Sequence, residues 1–311
     1  MLISVVICTY NRASRLAETL EHFQTLTIPE GLSWELVVVN NRSSDNTDEV
    51  IADVAKRTTL PLRRSYEPLP GLGAARNRGI LESKGSIVAF TDDDIFPATD
   101  WLCQLAREFT QDPQLAGIGG RVELHNSLDL PVTIRTHRER FQMVGTWNLL
   151  AGIPGCNMAF RREVIDLIGG FDADFGAGGP LISAEDIEFI FRGIRKGQKL
   201  IYSPDLLVTH DHGRRTQAQV DALMKTYLIG RGAMYAKHIL RFDFQMMRMA
   251  GRETRQNLAK ALSDVFHARM PRKQAHTLRL LLVGFMLAVR RYLSGAARRE
   301  GRGSQSPATA G

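Results

Sequence analysis

The strongest constraint on the fold is the alternation of strand-like apolar runs with amphipathic helical segments in the first two thirds of the 311-residue chain. In the first helical segment, Leu16, Leu20 and Phe23 fall on one face, and Asp45 is placed to cap the segment that follows the second run. Strands that alternate with helices predict an α/β fold with a mainly parallel sheet buried on both faces. The apolar runs are LISVVIC, WELVVVN, SIVAFT and, less clearly, LAGIGGRVEL.

Polar residues collect where the predicted strands end. The first strand is followed by TYNR, the second by NNRSSD and a later one by TDDD. In open sheets of this kind, ligands bind outside the carboxyl ends of the strands. We therefore expect the functional site at this edge of the sheet.

Asp92, Asp93 and Asp94 form a carboxylate run, and such neighbours repel one another and gain by reaching water or a cation. A Walker-type magnesium site would need the phosphate loop G-x-x-x-x-G-K-[ST], which the chain lacks. The run alone leaves two interpretations open, a helix cap or oxygen ligands for a hard divalent cation shared with phosphates. The segment GLGAARNRGI favours the cation. Its glycines precede a helix that carries Arg76, whose guanidinium can donate hydrogen bonds to a phosphate.

The composition is that of a folded protein, with 44% hydrophobic and 23% charged residues. The cysteines, Cys8, Cys103 and Cys156, form no C-x-x-C pair, so we expect neither a disulfide framework nor a zinc knuckle, and a reducing compartment fits best. The first residues, MLISVVIC, lack the basic leader of a signal peptide and run directly into a strand. These features predict a cytoplasmic protein.

Charge is distributed unevenly along the chain. From Gly213 to the end there are 19 basic and 5 acidic residues, a net charge of +14, whereas residues 1–212 carry a net charge of −7. This imbalance predicts an anionic partner surface for the second half, either nucleic acid or a membrane leaflet.

Six motifs, taken in order, resemble those of family 2 glycosyltransferases of the GT-A fold. They are SVVICTYNR, VVVNNRSSDNT, GLGAARNRGI, FTDDD, GCNMAFRREVIDLIGGFD and SAEDIEFIFRGIRKG. The resemblance implies a Rossmann-like catalytic domain over 1–212, with nucleotide-sugar binding in 1–120 and the acceptor side and catalytic base in 121–212. A helical, basic region is expected over 213–300 and a disordered tail over 301–311.

The resemblance makes the carboxylate run a D-x-D motif, which binds Mg²⁺ or Mn²⁺ against the diphosphate of a nucleotide-sugar. Asp92 and Asp94 are the implied metal ligands, with Asp94 preferred for direct contact, and Asp92 and Asp93 are implied to face the donor. Such a cation neutralises charge on the departing nucleoside diphosphate. His210 is a further candidate ligand, with a structural histidine as the alternative.

Other residues are implied to bind the nucleoside-diphosphate sugar. The family often has an acidic residue in the second segment, where this chain has two amides. An amide can both donate to and accept from a base edge, so base binding is retained and the identity of the base is left open. Simple turn residues are the alternative for these amides. The implied donor-binding residues are Thr9, Tyr10, Asn11, Arg12, Asn40, Asn41, Arg76 and Asn157.

The segment SAEDIEF is implied to supply the catalytic base. Ser183 and Asp186 also match a helix-capping box, which the residues alone favour. The resemblance instead makes Asp186 the base that takes a proton from the acceptor hydroxyl, with Glu185 orienting the acceptor. Attack from the face opposite the diphosphate inverts the sugar. The implied enzyme is a hexosyltransferase acting on a glycan or lipid-linked acceptor in cell-surface polysaccharide synthesis.

Two other functions remain open. A sugar nucleotidyltransferase also has an α/β sheet and metal carboxylates, but TYNRASR is not the Gly/Arg/Lys-rich loop that such an enzyme carries after its first strand. A non-catalytic glycan- or nucleic-acid-binding protein would explain the basic second half, but the carboxylate run and Asp186 argue against it. Nucleic acid is therefore not expected as a partner.

Ten uninterrupted apolar residues, Leu280 to Val289, lie in the basic region. A bilayer-spanning helix needs about 20, so this segment is too short to span unaided. Either 278–293 is a core helix, or it lies on a membrane, where basic flanks suit the anionic cytoplasmic leaflet. The second interpretation predicts a peripheral enzyme on the inner face of the cell membrane, in contact through residues 272–299. The flanking residues are Arg269, Arg272, Lys273, Arg279, Arg290, Arg291, Arg298 and Arg299.

Overall fold

A computed structural model of the protein describes residues 1–267 and 270–295. The strands within these residues are β1 (Leu2–Thr9), β2 (Ser33–Asn40), β3 (Leu62–Tyr66), β4 (Ile87–Asp92), β5 (Ile95–Pro97), β6 (Leu115–Leu124), β7 (Phe141–Gln142), β8 (Asn157–Arg161) and β9 (Lys199–His210). The helices are α1 (Ala13–Phe23), α2 (Thr47–Arg57), α3 (Leu72–Glu82), α4 (Trp101–Gln111), α5 (Arg162–Ile168), α6 (Glu185–Arg195), α7 (Gln217–Ile239), α8 (Phe244–Phe266) and α9 (Arg272–Leu293). The predicted tail over 301–311 lies outside the described residues, as do Arg269, Arg298 and Arg299.

All of these strands belong to one sheet. Its first part is parallel, in the spatial order β3-β2-β1-β4, with α1, α2 and α3 between successive strands of the chain. Beyond β4 the sheet is mixed, because β8 lies antiparallel to both β4 and β6, whereas β9 lies parallel to β6. The predicted α/β fold is confirmed, and the parallel part is formed by the strands that alternate with α1, α2 and α3 along the chain.

Both faces of the parallel part are buried, as its near-continuous apolar runs predict. On one face, Ile7 and Val38 join a cluster with α1, α2 and α4 that includes Leu16. On the other face α3 lies close to β1. Gly79 allows this approach, since a Cβ at its position would overlap Val6. The covered sheet therefore holds the strand ends at its carboxyl edge in fixed positions.

The chain forms two compact units. The first consists of residues 1–172 and 185–220 and contains the sheet. The second consists of residues 173–184 and the chain from Asp221, with most of α7 and with α8 and α9. The domain limits expected from the sequence stay a prediction.

Within the second unit, α7 and α9 approach closely because glycines stand at their points of contact. A Cβ on Gly284 would overlap the carbonyl oxygen of Ile229, and a Cβ on Gly232 would overlap that of Leu281. Substitution of these glycines therefore requires the two helices to separate.

One side of α9 is buried and the other is exposed. Leu280, Leu281 and Ala288 are buried, whereas Leu282 and Met286 are 61% and 56% exposed. In the part of the chain that the structure describes, no helix combines the length and the apolar character needed to cross a membrane. The apolar run is thus partly core and partly surface.

We expect Gly284→Ala to lower the thermal unfolding midpoint of the protein. Overpacking costs about 1–3 kcal/mol, which exceeds the roughly 0.5–1 kcal/mol that alanine gains over glycine inside a helix. Thermal unfolding followed by circular dichroism measures the change. Gly251→Ala in α8 is the matched control, since nothing lies within 4 Å of its Cβ, and it should leave the midpoint unchanged or raise it. An unchanged midpoint for Gly284→Ala would contradict the close packing of α7 and α9.

Candidate active site

The carboxylate run lies at the end of β4, at the carboxyl edge of the parallel strands. Asp92 is the last residue of β4, and Asp93 and Asp94 form the turn into β5. Because β5 pairs with the end of β9, Ile95 lies opposite His210. This register brings His210 Nε2 to 3.3 Å from Asp94 Oδ1. Two predicted metal ligands that are far apart in the sequence therefore lie side by side.

Asp93 and Asp94 are buried and share one arginine. Arg12 Nη1 lies 2.8 Å from Asp93 Oδ1 and 2.9 Å from Asp94 Oδ2, and Thr9 Oγ1 donates to Asp93 Oδ2 at 2.7 Å. Burial raises the pKa of Asp93 to about 7, against the charge of Arg12. Burial also acts to raise the pKa of Asp94, but His210 and Arg12 outweigh it and hold this pKa at about 2. Thr9 and Arg12 thus bind the run itself, and their contact with a donor stays a prediction.

The chemistry of Asp92, Asp94 and His210 fits a cation that takes only part of its ligands from the protein. Carboxylate oxygens are preferred ligands of Mg²⁺ and Mn²⁺, and the Asp92 side chain remains 31% exposed. Among the residues that the structure describes, no three His, Cys, Asp or Glu side chains are arranged to hold a metal ion. The binding of Mg²⁺ or Mn²⁺ at Asp92 and Asp94 therefore stays a prediction.

Hydrogen bonds join the loops that follow β1 and β2. Asn11 N donates to Ser43 Oγ at 2.9 Å, and Asn11 Oδ1 accepts from Ser44 N at 2.7 Å. Asp45 Oδ2 accepts from Ala13 N at 3.1 Å, at the beginning of α1, and its other oxygen accepts from the first amide of α2. The carboxylate of Asp45 therefore accepts hydrogen bonds from the first residues of both α1 and α2.

The two amides expected at the nucleotide base are bound within the protein. Asn40 donates to Asp48 Oδ1 at 2.7 Å and accepts from a backbone amide of its own turn. Asn41 donates to two carbonyl oxygens of the segment 67–71 and accepts from one of its amides. These contacts support the alternative of turn residues for both amides. Tyr10, by contrast, is 58% exposed and stays a candidate contact.

Asn157 lies inside the sheet, and its contact with a donor stays a prediction. It is fully buried, and its Oδ1 accepts from Trp101 Nε1 at 3.0 Å. Its Nδ2 donates to the carbonyl oxygens of Arg121 and Leu206 at 3.1 and 2.8 Å. Asn157 therefore joins α4, β6 and β9 to β8.

Arg76 is a buried bridge within the protein, so the structure does not support its predicted contact with the donor diphosphate. Its side chain is 3% exposed. Nη1 donates to Glu185 Oε1 at 2.9 Å, and Nη2 donates to Gly155 O at 2.9 Å and lies 3.5 Å from Asp92 Oδ1. The guanidinium also lies 5.4 Å from the ring centre of Phe171. Arg76 thus connects the carboxylate run to the beginning of α6.

The predicted catalytic pair begins α6. Glu185 is buried, and burial together with the charge of Asp186 raises its pKa in spite of Arg76. Because Glu185 is paired with Arg76, the structure does not support its role in orienting an acceptor. Asp186 is half-buried and remains accessible as a base. Ser183, the other half of the expected capping box, donates its hydroxyl to the carbonyl oxygen of Thr226.

Three residues of this region were not predicted. Thr19 Oγ1 donates to the carbonyl oxygen of Asp93 at 2.8 Å. Asn77 donates to the carbonyl oxygen of Phe171 at 2.8 Å and accepts from its amide at 2.7 Å. The carbonyl oxygen of Gly155 accepts from Arg76, and its Cα packs beside Asp186. Asn77 and Gly155 lie within motifs already noted, but only the fold shows what they contact.

We expect Asn157→Ala to destabilise the protein by about 2–4 kcal/mol, because it leaves a buried indole N–H and two carbonyl oxygens without their partner. Chemical denaturation measures the loss. Asn257→Ala in α8 removes a single bond to the carbonyl oxygen of Glu253 and should cost less than about 1 kcal/mol. Equal losses for the two variants would show that Asn157 does not hold the sheet.

Known proteins are similar to this chain in sequence and in fold. The family model "Glycosyl transferase family 2" matches residues 4–169, which is more than half of the chain. The pre-mycofactocin glycosyltransferase of Mycobacterium tuberculosis is 31% identical over 251 residues, covering 75% of this chain and 47% of the relative. The succinoglycan biosynthesis protein ExoM of Rhizobium meliloti is 26% identical over 211 residues, covering 66% of this chain and 65% of the relative. The chain spans about half the length of the curated relatives that it matches first.

Among solved structures, the mannosyltransferase PcManGT of Pyrobaculum calidifontis, in complex with GDP-Man and Mn²⁺, superposes with a TM-score of 0.56. The alignment has 22% identity and covers 95% of this chain and 75% of that chain. At this identity the likeness concerns the fold, which is of the GT-A type expected from the motifs. The family match, with the 31% identical relative, shows that the chain belongs to glycosyl transferase family 2.

Proposed function

We propose that the protein is a metal-dependent, inverting hexosyltransferase that transfers a sugar from a nucleoside-diphosphate sugar to a hydroxyl. The observation that carries this proposal is that Arg76 contacts both parts of the site. Its guanidinium lies beside Asp92 of the carboxylate run and beside Glu185, the residue that precedes Asp186. A cation site and a carboxylate base are the two groups that such a transfer needs. A nucleotidyltransferase or a non-catalytic binding protein would need only one of them.

In this mechanism Asp92 and Asp94 would hold Mg²⁺ or Mn²⁺, with His210 as a further ligand. When bound, the cation supplies positive charge to the departing diphosphate. The low pKa of Asp94 keeps this ligand ionised at neutral pH. Asp186 would accept the proton of the acceptor hydroxyl as its oxygen attacks the anomeric carbon. Attack from the face opposite the diphosphate gives the inverted product.

The relatives support a donor and an acceptor class for this chain. PcManGT is described with GDP-Man and Mn²⁺, which supports a nucleotide-sugar and a divalent cation. ExoM is named for succinoglycan biosynthesis, which supports a glycan or lipid-linked acceptor in the assembly of a cell-surface polysaccharide. The exposed Tyr10 and the joined loops after β1 and β2 are the proposed surroundings of the nucleotide base.

The second unit would bring the enzyme to the inner face of the cell membrane. Between residues 270 and 295 there are five basic and no acidic side chains, which suits an anionic leaflet. The exposed side of α9 adds apolar side chains for insertion, and peripheral attachment needs both contributions. These exposed residues are Leu282, Val283, Met286, Leu287 and Leu293. A second copy of this surface would be repelled by the same charges.

Two substitutions separate cation binding from proton transfer. We expect Asp94→Asn to weaken the binding of UDP or GDP in the presence of Mn²⁺ by about tenfold or more, because a neutral amide is a poor ligand for a hard cation. We expect Asp186→Asn to keep nucleotide affinity within about twofold and to slow transfer by 10²–10⁴-fold, the usual contribution of a general base. Calorimetry and an assay with a panel of UDP- and GDP-sugars measure the two effects.

Each variant is the control for the other, since both replace a carboxylate by an amide of equal size. Loss of nucleotide binding in a folded Asp186→Asn protein would contradict its role as the base. A wild-type protein that neither binds a nucleotide with Mn²⁺ nor cleaves any sugar of the panel would contradict the proposed function.

We expect the full-length protein to sediment with vesicles that contain anionic phosphatidylglycerol, and to do so less at high salt because screening weakens exposed charges. The double substitution Leu282→Asp with Met286→Asp should release it, because both side chains lie on the exposed side of α9. The control, Leu128→Asp with Leu167→Asp, changes two exposed leucines of the first unit and should leave sedimentation unchanged. If the wild-type protein stays in the supernatant at low salt, the membrane proposal fails.

A further inference from the structure

The guanidinium of Arg76 contacts groups of the protein itself: it donates hydrogen bonds to two of them and lies 3.5 Å from Oδ1 of a third, Asp92. Arg76 is 3% exposed, and its two terminal nitrogens donate to Glu185 Oε1 and to Gly155 O, each at 2.9 Å. Both acceptors belong to the protein and come from different segments, the beginning of α6 and the loop before β8. A forked guanidinium can hold two such oxygens at once, whereas an ammonium acts as a single point charge.

These two neighbours define the position of Asp186. Glu185 precedes Asp186 directly in α6. On the other side, a Cβ on Gly155 would lie 2.5 Å from Asp186 Oδ2 and 3.0 Å from its Cβ and Cγ. The Asp186 carboxylate therefore rests against the bare Cα of Gly155, and no larger residue fits there without moving it.

We infer that Arg76 is a positioning residue for Asp186, acting through Glu185 on one side and Gly155 on the other. The inference rests on the proposed function, in which Asp186 is the base, and it assigns Arg76 and Gly155 a role that differs from donor binding. Arg76 holds the chain on both sides of the carboxylate, so that Asp186 meets the acceptor hydroxyl at one distance and direction.

The surroundings of Arg76 support a fixed rather than a mobile guanidinium. Its charge lies 5.4 Å from the ring centre of Phe171, and the backbone of Phe171 is held by the two hydrogen bonds of Asn77. Asn77 is the next residue of α3, so one helix holds both the cation and the ring beside it. The guanidinium of Arg76 has lost most of its water on burial, and its ion pair with Glu185 at 2.9 Å compensates for this loss. The pair therefore holds the guanidinium in one position.

The test compares Arg76→Met, Glu185→Gln and the double variant for kcat, the donor KM and the dissociation constant of UDP or GDP with Mn²⁺. Misplacement of a reacting group by about 1 Å costs on the order of 100-fold, so each single variant should lower kcat by about that factor. Nucleotide affinity should fall by less than about tenfold, because Arg76 also lies 3.5 Å from Asp92 and its loss affects that carboxylate only at this distance. The double variant should be no slower than the slower single variant, because both remove the same support.

Further variants keep the test decisive if Arg76→Met does not fold. Gly155→Ala leaves Arg76 and Glu185 in place but pushes Asp186, so kcat should fall by about tenfold or more with nucleotide affinity unchanged, on the same positional scale. Arg76→Lys keeps the charge but loses the fork, so its kcat should lie between those of wild type and Arg76→Met. Arg107→Met is the control, since Arg107 pairs with Asp205 on the surface and should leave kcat unchanged.

The outcomes separate this inference from the proposed function. An active wild-type protein whose Arg76 variants bind nucleotide at least tenfold more weakly, with kcat retained, would show a donor contact and overturn the inference alone. Losses in kcat that multiply in the double variant would also overturn it. A wild-type protein without nucleotide binding or turnover would overturn the proposed function, and the inference with it.

Discussion

Three consecutive carboxylates at a largely buried strand end must be neutralised, and the structure of the first unit depends on how this is done. Arg12, from the loop after β1, contacts Asp93 and Asp94, and His210, from the end of β9, contacts Asp94. Arg76, from α3, lies beside Asp92. Each positive or polarisable group comes from a different element, so the electrostatic requirement of one short segment draws three distant parts of the chain to one edge of the sheet.

Much of the fold follows from patterns that are local in the sequence. The apolar runs and the helical spacing of Leu16 and Leu20 predict β1, β2, β4 and α1, because burial on a sheet or helix face depends on residue period. The antiparallel insertion of β8 could not be predicted, since nothing within its five residues specifies the direction of its neighbours. The same limit applies to the site. Asn157 and Arg76 were assigned from their motifs, whereas their partners, Trp101 and Glu185, are set by tertiary packing.

In the second unit, the sequence shows that α9 is apolar, and the structure shows which of its sides is buried. The apolar run from Leu280 to Val289 could be read as core or as membrane surface, because hydropathy alone does not distinguish the sides of a helix. Gly232 and Gly284 bring α7 and α9 together, and this contact decides which side of α9 is buried. The opposite side retains exposed apolar residues, among them Leu282 and Met286. The short apolar run therefore contributes both to the contact between the helices and to the exposed surface.

The hydrogen bonds that join the loops after β1 and β2 have a consequence for the divergence of such enzymes. Asn11 is bonded to Ser43 and Ser44, and Asp45 accepts from the first amides of both following helices. The two loops therefore form one mechanical body, and a substitution that reshapes either loop displaces the other. Under the proposed function, in which these loops surround the nucleotide base, a change of base preference would require paired substitutions, because a single change in one loop also displaces the other.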